Sequence, residues 1–167
     1  MHNVFFVAMR KILVAIDGSE CAFRAVAYCG DQFSGLEDLS LTLFHVLPGL
    51  PPRFWDEGHL LDEQEKRAKE ALMNQWIDSQ KKQIAPMFGS AIDILKTKGI
   101  GPEQVETKAI YDSTDVAGTI LEEARDGGYL TLVLGRAGFS QVGEFISGSI
   151  ATKIINRGAG LAICVVE

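Results

Sequence analysis

After Lys11, the residues Ile12-Leu13-Val14-Ala15-Ile16 are apolar without a break and stop at Asp17-Gly18-Ser19. A strand with one wet face alternates polar and apolar residues. A strand apolar at every position has to be covered on both sides, which is the condition of a strand inside a parallel sheet. The rest of the chain supplies what such a strand needs. From Ser19-Glu20 to about Phe33, Ala22, Phe23, Val26, Ala27 and Cys29 recur at helical spacing. Leu41 to Leu47 is a second strand, stopped by Pro48-Gly49. Val105 to Ile110 is a third, more polar and therefore nearer an edge. Tyr129 to Leu134 and Leu161 to Val166 are the fourth and fifth. Five strands joined by helices predict one α/β domain, a three-layer open parallel sheet with helices on both faces.

Between the second and third strands the pattern predicts two helices. Pro48 to Gly58, which contains Phe54-Trp55, reads as a loop. A charged helix follows from about Asp62 to Ile84, and Pro86 with Gly89 breaks it. A short second helix then runs from Ser90 to Thr97 and ends at Gly99. Asp112-Ser113-Thr114-Asp115 supplies capping chemistry for the helix through Val116, Ile120, Leu121 and Ala124. A last helix runs from Ser149 to about Arg157, with Lys153 and Arg157 placed to complement its C-terminal dipole.

Charge narrows the function. The 167 residues carry a net charge of -6 with scattered basic residues, which disfavours a nucleic-acid binder because phosphates need clustered Lys and Arg. No run could span a membrane, and Val4 to Ala8 is too short for a signal peptide. Residues 1–8 read as an optional extension before a single domain at 9–167, and the expected location is the cytoplasm. Cys21, Cys29 and Cys164 form no short-range pair and read as buried thiols in a reducing compartment. Three scattered histidines give no zinc pattern, and His45 reads as packed or hydrogen-bonded rather than catalytic.

The remaining signal is the loop Gly135-Arg136-Ala137-Gly138, nine residues, then Gly148-Ser149. It leaves a buried strand and enters an amphipathic helix. Glycines let a backbone approach a ligand closely, and the unpaired N–H groups of a helix start favour an anion, so the loop suits a phosphate chain. It is not a Walker loop, since Glu144-Phe145 stand where Lys and Ser or Thr are needed. Nor does the first strand turn into a dinucleotide-binding glycine motif. Asp17, at another strand end, reads either as a ligand contact or as a cap for the helix that follows.

Taken together, Ile12 to Ser19, Leu41 to Val46, the Gly135-x2-Gly138-x9-Gly148-Ser149 loop and Ala162 to Val166 resemble the universal stress proteins, in their ATP-binding branch. The resemblance runs from about Met9 to Glu167. It implies strand order 3-2-1-4-5 and a homodimer paired through the last strand. It implies that Asp17, with backbone near Ala15, faces the nucleoside and polyphosphate, and that Val46 offers backbone hydrogen bonds to the adenine edge. Leu134 and Gly135 would line the ribose side. Gly138, Gly148, Ser149, Ile150 and Ala151 would surround the phosphates, which Arg136 could also reach and Mg²⁺ could accompany. The sequence departs from the family at Arg136-Ala137, where a small hydroxyl residue and a basic one are usual. It departs again at Ala151, where some members carry a hydroxyl, although Thr152 is adjacent. The expected function is an ATP-binding stress-response protein whose nucleotide controls conformation or association. The alternatives are a slow ATP hydrolase and a dimeric interaction protein that holds no nucleotide.

Overall fold

The computed structural model describes residues 9–49, 62–136 and 149–167. The expected extension at 1–8, the loop at 50–58 with Phe54 and Trp55, and the glycines Gly138 and Gly148 lie outside the described residues. Five strands, β1 (Arg10–Ala15), β2 (Leu39–Pro48), β3 (Val105–Ser113), β4 (Thr131–Gly135) and β5 (Ala162–Val166), alternate with four helices, α1 (Glu20–Phe33), α2 (Glu63–Thr97), α3 (Val116–Asp126) and α4 (Ser149–Arg157). They form one parallel sheet in the order β3-β2-β1-β4-β5. The expected order is the observed one, and polar β3 is indeed an edge.

Successive side chains of a strand point to opposite faces, so a fully apolar strand feeds two cores. Ile12 and Val14 of β1, Leu41 and Leu43 of β2, and Val133 of β4 pack beneath Ala22, Ala25, Val26 and Cys29 of α1 and Ala91 and Leu95 of α2. The intervening residues Leu13, Phe44, Leu132 and Leu134 meet Ala117, Ile120, Leu121 and Ala124 of α3 and Ala151 and Ile154 of α4. Burying each large aliphatic side chain in these layers contributes about 1.5–3 kcal/mol. The buried hydroxyl of Thr42 is satisfied by Tyr129 at 2.9 Å, so it does not carry the penalty of an unpaired polar group.

The break expected at Pro86 and Gly89 is absent. Residues 63 to 97 form one helix of 35 residues, opened by a capping box between Asp62 and Glu65. Proline removes one helical donor and costs about 3 kcal/mol in a helix interior. Here Met87, Phe88, Ala91, Ile92 and Leu95, just beyond it, all pack on the α1 side of the sheet and hold the helical path. Tertiary burial outweighs the local breaker. The helix is about 52 Å long at 1.5 Å per residue, and its only fully buried residues are Ala91 and Leu95. Its C-terminal part is core, and Glu63 to Lys82 is mostly exposed. The thiol expectation also needs correction: Cys29 is buried, but Cys21 and Cys164 are only partly so.

Candidate functional site

α1, which follows β1, packs on one face of the sheet, and α4, which follows β4, packs on the other. β1 and β4 are neighbours. Two adjacent strands whose connections leave in opposite directions open a crevice beyond their carboxyl ends, the usual ligand position in such sheets. Five of the expected residues meet at this end. Ala15 is in register with Phe44 on one side and Leu134 on the other. Asp17 lies two residues beyond Ala15, Val46 two beyond Phe44, and Gly135 follows Leu134.

The turn at the end of β1 is built from local polar contacts. Gly18 has φ +83°, a conformation that L side chains rarely adopt, so the chain turns there at little steric cost. Asp17 Oδ1 accepts the Ser19 N–H at 3.0 Å, and Ser19 Oγ accepts the Ala22 N–H at 3.2 Å as the N-cap of α1. Ser19 is therefore the helix cap, and Asp17 braces the turn in front of it. Both lie beside the positive end of the α1 dipole, a setting that favours negative charge.

β2 runs further than its neighbour. Pairing of β1 with β2 ends at Ala15 and Phe44, whereas β2 continues to Pro48. Ile16 N–H donates to Phe44 C=O at 2.8 Å, which fixes the direction of the Phe44 carbonyl. Peptide groups two residues apart on a strand point the same way. The N–H and C=O of Val46 therefore point toward the β1 side, past the residue where β1 stops. The side chain of Val46 is buried, so its backbone is the part it presents. His45, expected to be a hydrogen-bonded histidine, is one: its Nδ1 lies 2.7 Å from the Ile16 carbonyl.

The end of β4 is built by close packing. A Cβ on Gly135 would lie 2.6 Å from the Cys21 carbonyl carbon and 2.8 Å from the Ala22 N. The strand thus passes directly against the first turn of α1, and a glycine is needed there whatever the ligand. Arg136 N–H donates to Val166 C=O at 2.8 Å, and its guanidinium pairs with the Glu167 carboxylate. The arginine is thus engaged at the β5 side. At the start of α4, Ser149 and Ile150 are exposed, while the Ala151 side chain is buried in the core that α4 shares with α3. Only the backbone of Ala151 could meet a ligand.

α4 is tied down from α3. Arg157 donates to Asp115 Oδ2 at 2.8 Å, and Arg125 donates to the Arg157 carbonyl at 2.7 Å. The Arg157 guanidinium holds the Asp115 carboxyl below its ordinary value, helped by the Gly118 N–H. This assigns Arg157 a structural ion pair. The helix begins at Val116 after its N-cap residue Asp115, as expected, whereas β3 runs on through Asp112 and Ser113, past its expected end at Ile110. Among the described residues no group of His, Cys, Asp and Glu could hold a metal ion, and no helix is long and apolar enough to cross a membrane.

Known structures share this architecture. The hypothetical protein MJ0577, a structural-genomics test case for assigning biochemical function, is 21% identical, with 96% of each chain covered and a TM-score of 0.67. A universal stress protein in complex with cAMP is 18% identical over 96% of this chain and 98% of its own, with a TM-score of 0.60. The universal stress protein from Archaeoglobus fulgidus in complex with dAMP is 20% identical over 96% and 99%, with a TM-score of 0.51. No curated protein matches the chain. The family model described as "Universal stress protein family" matches residues 9–159, from β1 through α4, and with that match over most of its length the chain belongs to the universal stress protein family.

Proposed function

We propose that this protein binds an adenine nucleotide, with ATP the favoured form, in the crevice at the ends of β1 and β4. The observation that carries the reading is that β2 outruns β1, so that Val46 directs its peptide groups toward the gap beside the turn of Asp17. An adenine edge carries one donor and adjacent ring acceptors, and a strand's N–H and C=O are complementary to that pair. The cAMP and dAMP held by two similar structures support the same ligand class.

The residues divide the ligand between them. Val46 meets the base through its backbone. Ala15 and Asp17 approach the nucleoside from β1, and Leu134 and Gly135 form the wall on the β4 side. Ser149, with the N–H groups of Ile150 and Ala151, offers the start of α4 to phosphate, together with Gly138 and Gly148. Arg136 joins them only by leaving Glu167. Bound Mg²⁺ would neutralise phosphate charge, and binding is the function rather than rapid hydrolysis. The nucleotide controls conformation or association by binding two states with different affinity.

A homodimer through β5 fits the reading. Val166 C=O and Ala162 N–H face β4, so the alternating peptide groups of Ile163 and Val165 point outward from the sheet edge. Val165→Pro removes one outward donor and leaves the β4 pairing intact. It should lower the mass seen by light scattering, and an unchanged dimer would count against this edge. The nucleotide reading itself is tested by calorimetry on nucleotide-stripped protein with ATP, AMP and cAMP. Binding of one or more supports it, and absence of heat and of thermal stabilisation with all three refutes it.

A further inference from the structure

One contact at the crevice has no part in the scheme above. The Ile16 carbonyl belongs to the peptide that enters Asp17, and it is held by a side chain 29 residues further along, the His45 ring, at 2.7 Å. A carbonyl can only accept, so Nδ1 of His45 carries the proton and donates. This places a proton on Nδ1 without reference to any ligand.

The sheet register shows what the ring replaces. In a parallel ladder, Ile16 N–H on Phe44 C=O would be followed by Val46 N–H on Ile16 C=O. Had that bond formed, the pairing of β1 with β2 would run on to Ile16. It stops at Ala15 and Phe44. The imidazole therefore stands in for the Val46 N–H at that carbonyl. Two consequences follow from one side chain. The peptide leading into Asp17 is pinned to β2, and the Val46 N–H is turned over to the crevice.

We infer that His45 is a positioning residue of the nucleotide site: it fixes the Ile16–Asp17 peptide and releases the Val46 N–H for the adenine edge. It acts through its neighbours, and no contact of its own with the ligand is required. The inference rests on the nucleotide reading, so its test has a part that needs no nucleotide.

Three variants separate a donor at Nδ1 from a merely space-filling ring. His45→Phe keeps a ring and removes the donor. His45→Asn places an amide N–H near the position of Nδ1. His45→Gln places its amide near Nε2 instead. ATP affinity by calorimetry should fall roughly three- to tenfold in the Phe and Gln variants, the range of one ordinary hydrogen bond. Asn should recover it to within about twofold. Affinity unchanged in both Phe and Gln, or Asn as weak as Phe, overturns the inference. In nucleotide-free protein, imidazole ¹⁵N shifts should place the proton on Nδ1. Amide exchange at Asp17 and Gly18 should quicken in Phe and not in Asn. A proton on Nε2 with none on Nδ1, or exchange equal in all variants, also overturns it. If wild-type protein takes no ATP, the nucleotide reading falls, and these nucleotide-free measurements alone decide whether His45 pins the turn.

Discussion

The carboxyl ends of β1 and β4 lie side by side and border the same crevice, but different forces shape them. At β1 the chain is set by hydrogen bonds: Asp17 to Ser19, Ser19 to Ala22, and His45 to the Ile16 carbonyl. At β4 it is set by sterics, with Gly135 against the backbone of Cys21 and Ala22, and the next residue along the chain, Arg136, paired with Glu167. One wall of the crevice directs polar groups; the other admits close approach and faces its charge elsewhere. A substitution at β1 should therefore be read chiefly in binding, and one at β4 chiefly in stability.

The largest effect should come from Gly135→Val. Its Cβ would meet backbone atoms at 2.6 and 2.8 Å, which cannot swing aside as a side chain can, so α1 and β4 must separate. Overpacking of this kind costs about 1–3 kcal/mol, and urea denaturation should show at least that loss. Stability equal to wild type would mean that the strand and helix are not so closely apposed. Asp17→Ala should do the opposite. Losing the bond to Ser19 should cost about 0.5–1.5 kcal/mol, while ATP affinity should fall tenfold or more, since a hydrogen bond to a charged group carries about 1.5–3 kcal/mol. If stability suffers and affinity does not, Asp17 is a turn brace alone.

Arg136→Ala is a finer probe of the same contrast. Its ion pair with Glu167 is half exposed, with side-chain accessibilities of 52% and 73%, so its contribution to stability is about 0–1 kcal/mol. With the guanidinium engaged at β5, affinity for ATP should stay within about twofold. A larger loss would show that the side chain swings from Glu167 to phosphate. The last probe concerns α1, which both ends share, and it reads stability alone. Burial pushes the Cys29 thiol from 9.0 up to about 12. A thiol whose value is raised by folding stabilises the native state fully below the unfolded value, and that contribution is lost as pH rises from 9.0 toward about 12. The urea midpoint of wild type should therefore fall more steeply above pH 9.0 than that of Cys29→Ala. Parallel curves would contradict the burial effect.

The fold was largely legible because its strongest signals are local. Ile12 to Ile16 has no polar face, and that alone demands two covering layers. Asp17, Val46 and Gly135 could be placed together because each stands at the end of a readable strand. What escaped depends on partners distant in sequence. Pro86 looked like a terminus because its cost is local, whereas the packing that overrides it comes from α1 and the sheet. The direction of Arg136 was unreadable without Glu167, 31 residues away on the chain. The spacing of Gly135 points to a phosphate loop, yet its closest constraint is the first turn of α1. The sequence around His45 suits a hydrogen-bonded histidine, but its acceptor, Ile16, lies 29 residues away and follows only from the register of β1 with β2.

The central claim is a location: an adenine nucleotide at the crevice between β1 and β4. Backbone amide NMR shifts on titration with ATP test it directly. The amides of Asp17, Gly18, Val46, Gly135 and Ser149 to Ala151 should move together with one affinity. Leu39, Gly127 and Leu161, at the opposite end of the sheet, should stay in place. Shifts confined to that opposite end or to α2, or none at saturating ATP, would contradict the account.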